Sequence, residues 1–93
     1  MRYEVLWDPR VPDGLRALPG PERKRVVNRI LSLADDPVPE GARQLSSPSG
    51  SFRLEDGRFL LLYIVDSAAH TVTVYAVLKD GELLNADEYR IDA

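Results

Sequence analysis

The side chains able to do bond-making chemistry are few. There is one histidine, His70, and no cysteine. The lack of cysteine excludes disulfides, thiolate metal sites and a cysteine nucleophile, and it fits a reducing compartment. His70 follows the Ser67-Ala68-Ala69 loop and opens a β-rich run, a junction that suits an exposed residue better than a general base. What remains is arginine and lysine, whose chemistry is electrostatic: they grip phosphate or carboxylate, and arginine does so with two parallel hydrogen bonds. The run Arg23-Lys24-Arg25 with Arg29 reads most simply as the wet face of an amphipathic helix. Its sharper reading is a landing site for RNA or an acidic partner. Arg53 is either a phosphate contact or a strand residue paired with Glu55 or Asp56.

Charge narrows the choice between these readings. The net charge is −3, unevenly spread. Residues 1–30 carry seven Arg/Lys against four Asp/Glu, whereas residues 61–93 carry only Lys79 and Arg90 against six acids. A domain that binds nucleic acid through charge alone is usually basic overall, so this balance counts against non-specific RNA or DNA binding. At 93 residues and 44% apolar content the chain fits one folded domain, 1–93. No apolar run reaches the roughly 18 residues of a membrane span, and the strand-like start predicts no signal peptide. No motif calls for a cofactor or a metal.

The elements that must position these residues can be read in order. Met1 to Trp7 alternates as a strand. Asp8-Pro9 reads as a helix start, with Asp8 as N-cap, for a weak helix to Leu18 whose core contacts are Leu15 and Leu18. Pro19-Gly20-Pro21 breaks it. Pro21 to about Ala34 is the best helix, with Val27, Ile30, Leu31 and Ala34 on one apolar face and Val26 and Leu33 flanking that face. Pro37 to Gly50 reads as a long loop with a short extended piece at Arg43 to Leu45. The strongest local signal is Ser51 to Asp66: two apolar runs around Asp56-Gly57, the pattern of a tight hairpin. Its second run, Phe59 to Val65, is uncharged, which predicts a central strand buried on both faces. His70 to Leu78 reads as another strand, Val72, Val74, Ala76 and Leu78 alternating with Thr71, Thr73, Tyr75 and Val77. Lys79 to Glu82 reads as a turn, and a last short strand is expected near Tyr89 to Ile91. Helices and strands are segregated along the chain, so the expected fold is α+β, a small mostly antiparallel sheet with an N-terminal helical hairpin packed across it (β-α-α-β-β-β).

This order, with these residues, resembles the RelE/ParE superfamily of type II toxin–antitoxin toxins. The resemblance runs from Tyr3 to about Lys79. It rests on Tyr3-Glu4-Val5-Leu6-Trp7-Asp8-Pro9, Leu15 to Pro19, Leu33-Ala34-Asp35-Asp36-Pro37, Gly41-Ala42-Arg43-Gln44-Leu45, Phe52-Arg53-Leu54, Gly57, and Tyr63-Ile64-Val65-Asp66. It implies a toxin of the bacterial cytoplasm, neutralised by a small antitoxin protein, with no membrane partner. RelE-like members cleave mRNA at the ribosome, which would make this chain a metal-independent endoribonuclease that inhibits translation. ParE-like members poison DNA gyrase through a protein contact.

Carried over by position, the resemblance implies Arg53, Arg58 and Lys79 as the catalytic cations. They would stabilise charge building on a phosphate attacked by the neighbouring 2′-hydroxyl. Three other positions of the cationic cluster are replaced, by Glu55, Leu60 and Asp80. Two of these invert the charge and one removes it, which counts against efficient cleavage. Arg58 and Leu60 would share a strand face, about 7 Å apart, so Arg58 is a candidate to take over from Leu60. The late tyrosine or histidine of active members has no in-register equivalent, and Tyr89, the nearest candidate, would need a shifted tail. An acidic C-terminal third suits a protein partner, so the alternative is a catalytically silent family member, a protein-binding module or decayed toxin. The antitoxin is expected on Val26, Arg29 and Leu33 with the sheet edge. Without the antitoxin, the same surface would serve self-association.

Overall fold

The computed structural model describes residues 2–84. Two strands, β1 (Glu4–Trp7) and β2 (Arg43–Gln44), bracket a helical hairpin of α1 (Arg10–Leu15) and α2 (Gly20–Ser32). Strands β3 (Ser51–Asp56), β4 (Phe59–Asp66), β5 (Thr71–Lys79) and β6 (Glu82–Leu83) follow. The expected α+β arrangement is what the chain adopts. The strand expected near Tyr89 to Ile91 lies outside the described residues.

The hairpin β3–β4 forms as the Asp56-Gly57 signal predicts. Gly57 and Arg58 are the whole turn, with Asp56 paired to Phe59 and Gly57 at φ +64. A left-handed φ favours glycine. A Cβ at Gly57 would also meet the Arg25 guanidinium at 2.8 Å, a contact that this flexible side chain can relieve by moving aside. The sheet order is β1-β5-β4-β3-β2, with β6 on the same edge of β5 as β1. Only the β1–β5 pair is parallel. The central place expected for Phe59 to Val65 is correct, but its two-sided burial is not. Phe59, Leu61 and Tyr63 are buried, while Leu60, Leu62 and Ile64 are half-buried, because both helices lie on one face of the sheet.

That face holds the core. Val11, Leu15 and Leu18 from the first helix and its following turn, and Val26, Ile30 and Leu33 from the second helical stretch, pack against Leu54, Leu61, Tyr63, Val72, Val74 and Val77. Burying each such side chain is worth about 2 kcal/mol. The Tyr63 hydroxyl donates to the Pro37 carbonyl at 2.8 Å, which fastens the long loop to the core. Burial holds its phenol neutral and pushes its pKa up to about 12. At the start of α1 the helix begins at Arg10, one residue later than expected. Asp8 still accepts the Arg10 backbone N–H at 2.9 Å and grips the Arg10 guanidinium at 3.0 and 2.8 Å. These bonds hold its carboxyl down at about 2.

Two expectations are corrected. On α2 the core stripe is Val26 and Ile30, continued by Leu33 and Ala34 beyond its end, with Val26 1% and Leu33 0% exposed. Leu31, expected inside, is 46% exposed. Six apolar residues between 26 and 34 cover too wide an arc for periodicity to fix which side faces the sheet. On β5 the alternation breaks at Tyr75. Tyr63 pairs with Val74 but Leu62 pairs with Ala76, so Tyr75 is an extra residue, a β-bulge. Beyond it every side chain changes face. Val77 enters the core, Lys79 follows it to the helix side, and Leu78 turns to the open face.

Candidate functional site

The open face of the sheet is built from the alternate residues of the same strands. Reading across the ladder, Glu4, Thr71 and Asp66 form one row, and Leu6, Thr73, Ile64 and Ser51 the next. Ala76, Leu62, Arg53 and Arg43 form the third, then Leu83, Leu78, Leu60 and Glu55. Arg53 therefore sits on this face, directly opposite Arg43, with Leu62 on its other side. Its Nη2 lies 3.2 Å from Glu55 Oε2. At the position of Leu60, the neighbours across the ladder are Glu55 and Leu78. Ser51, fully buried, shares a 2.8 Å hydrogen bond with the Tyr75 hydroxyl at the bulge.

Lys79 is on the other face. Its Nζ meets Glu22 Oε1 at 2.8 Å and stands 5.9 Å over the Phe59 ring. Arg58, the second turn residue, donates from Nε to Asp80 Oδ1 at 3.0 Å and from Nη2 to Asp80 Oδ2. This bidentate pair holds the Asp80 carboxyl below its ordinary range and raises the Arg58 pKa. It also engages the guanidinium that would have to swing toward Leu60. A third bridge, Arg25 Nη2 to Asp56 Oδ1 at 3.2 Å, completes a set in which α2 and the two hairpin turns are tied together by charge.

Each of the three sequence-predicted cations thus has a carboxylate partner, and Arg53 and Lys79 are on opposite faces of the sheet. The structure brings Arg58 near Lys79 through Asp80 but does not bring Arg53 to them. A phosphate needs cations that converge and are not already neutralised. Glu22 was not singled out by sequence reasoning, and neither its pairing with Lys79 nor that of Arg25 with Asp56 was expected. No local signal marks them, since Glu22 is 57 residues from Lys79 and Arg25 is 31 from Asp56. His70 is exposed at φ +58, its ring stacked on Tyr3 at 4.7 Å. Tyr89 lies outside the described residues.

The expectation that Val26 and Leu33 offer a docking surface is corrected, because both are core residues. Arg29 and Val27 are half-buried beside them, and Leu31 is the large apolar residue that α2 exposes. Val27 helps line a groove of about 380 Å³ with Trp7, Pro12, Leu15, Arg16 and Arg23. Its lining is mostly apolar, and Arg16 and Arg23 are the charged residues along it. Among the described residues, no group of three or more His, Asp or Glu could hold a metal ion, and no helix is long and apolar enough to cross a membrane.

No protein-family model matches the chain, and no curated protein matches it in sequence. Solved structures do. The toxin–antitoxin complex RelBE2 of Mycobacterium tuberculosis is 25% identical with a TM-score of 0.74, over 85% of this chain and 99% of that one. The archaeal RelE–RelB complex of Pyrococcus horikoshii is 21% identical with a TM-score of 0.77, over 87% and 98%. The isolated E. coli RelE toxin is 18% identical with a TM-score of 0.71, over 97% of each chain. The fold is that of the RelE/ParE toxin superfamily.

Proposed function

We propose that this chain is the toxin-type component of a type II toxin–antitoxin pair, held by a small antitoxin protein, and that it acts through protein contact rather than by cutting RNA. The fold it shares with RelE toxins supports the first half. The second half rests on one observation: Arg53, Arg58 and Lys79 are matched by Glu55, Asp80 and Glu22. A carboxylate at a transferring phosphate in a water-poor site costs several kcal/mol of transition-state stabilisation, because the developing negative charge is repelled where it should be attracted. A gyrase-type protein target suits this surface better than the ribosomal A site. The antitoxin is assigned to the helical hairpin, with Val27, Leu31 and the arginine-lined groove in place of Val26 and Leu33, and with Arg29 at its border.

Expression of the chain alone in bacteria, with and without the protein encoded by the adjoining reading frame, tests this reading. Growth arrest relieved by that neighbour is expected, and it should survive Arg53→Ala and Lys79→Ala. DNA supercoiling by purified gyrase should fall when the chain is added. Arrest abolished by both substitutions would support ribosome-dependent mRNA cleavage instead. No arrest at all would support the silent binding module.

A further inference from the structure

We infer that the open face of the sheet is where a second copy of this chain docks. The centre of that face is apolar: Leu60, Leu62, Ile64, Leu78 and Leu83 are half-buried there, and Leu6 is 40% exposed at its margin. No described element crosses it, since both helices pack on the opposite face. An apolar surface of this kind, drawn from four strands, is what an interface core is made of.

The charges around it identify the occupant. Among the described residues, seven cations are paired with carboxylates within the chain. Arg23, Lys24, Arg29 and Arg43 have no ion-pair partner, and of these four only Arg43 lies on the open face, at one corner. Glu4 and Asp66, in the row at the diagonally opposite corner, have none either; Asp66 only accepts the Ala69 backbone N–H at 3.0 Å. One face therefore carries an apolar centre, a basic corner and an acidic corner. A twofold axis in the plane of the face, perpendicular to that diagonal, lays the acidic corner of each copy over the basic corner of the other. It presses the two leucine surfaces together at the spacing of stacked sheets, about 10 Å. A single surface complementary to itself in both shape class and charge is the requirement for an isologous dimer. The inference does not rest on the toxin reading.

Sedimentation velocity on the purified full-length chain alone, over a concentration series, tests it. The wild type is expected to dimerise. Leu62→Asp, which places a charge at the centre of the face, is expected to be monomeric with an unchanged far-UV circular dichroism spectrum. Arg43→Glu, on an exposed two-residue strand away from the core, should weaken the dimer about tenfold. Adding Glu4→Arg to it should recover most of that loss. A wild-type chain that stays monomeric up to about 100 µM, a range that detects any dimer of useful affinity, would overturn the proposal. So would a dimer indifferent to both Leu62→Asp and Arg43→Glu.

Discussion

The two faces of the sheet are made by the same strands and differ in almost every physical respect. The helix side is dry and its one buried phenol is satisfied. The open side is half-wet, with leucines at its centre and charges at its corners. The difference teaches that fold and recognition are written on alternate residues. Leu61 and Leu62 are adjacent in sequence, yet one is 1% exposed in the core and the other faces outward. A chain of this length can change what it binds while keeping its fold, because the residues that do the two jobs interleave without touching.

The comparison can be broken most directly at that pair. Leu61→Ala should cost about 3 kcal/mol through the cavity left in the core, and Leu62→Ala under about 1 kcal/mol. Denaturant unfolding of both variants checks this, and equal costs would mean that the open face is packed as tightly as the closed one. Tyr63→Phe should cost about 1 to 2 kcal/mol, the loss of a buried hydrogen bond that leaves the Pro37 carbonyl unsatisfied. Because the Tyr63 pKa is raised from 10.0 to about 12, the folded chain holds this proton longer than the unfolded one. Its contribution is complete below pH 10 and is lost as pH rises through 12, so wild type and Tyr63→Phe should converge there in thermal melts.

Asp8→Ala should cost about 1 kcal/mol, by removing the acceptor for the Arg10 N–H at the helix start. The sign of its pH dependence is opposite. The Asp8 pKa is depressed from 3.8 to about 2, so its contribution is complete above 3.8 and lost as pH falls through 2. The smallest effect should come from Arg53→Ala, whose ion pair with Glu55 is exposed at the carboxylate end. Unfolding should move by less than about 0.5 kcal/mol. The contrast sharpens if Asp80→Ala combined with Leu60→Arg is also made. Freed of its partner, Arg58 would stand beside a new cation, and any RNA cleavage gained by that variant over wild type would trace the proposed lack of cleavage to Leu60 and Asp80.

Much of the fold was legible because its signals are local. Asp56-Gly57 needs only a left-handed residue between two apolar runs, and the break at Pro19-Gly20-Pro21 needs only proline geometry. The phase of α2 was not legible. Val26, Val27, Ile30, Leu31, Leu33 and Ala34 support two overlapping stripes, and only the sheet decides that Val26 and Leu33 go in while Leu31 stays out. The candidate cations could be read in the sequence as residue types but not as a constellation. Losses at Glu55, Leu60 and Asp80 could be seen in the sequence. The partners that neutralise Lys79 and hold Asp56 could not, since they come from a helix far away along the chain.

The bulge at Tyr75 draws the line between the two kinds of knowledge. The sequence by itself determined that His70 to Leu78 is a strand, because β-branched and aromatic residues suit an extended, half-buried backbone. It put Lys79 in the following turn, whereas Lys79 is the last residue of β5. Only the tertiary structure decided that one extra residue is accommodated against β4, which exchanges the two faces from Ala76 onward and delivers Lys79 to Glu22 instead of to Arg53. Side-chain alternation has a period of two, so a single unpaired residue is enough to separate cations that the linear pattern would have placed together.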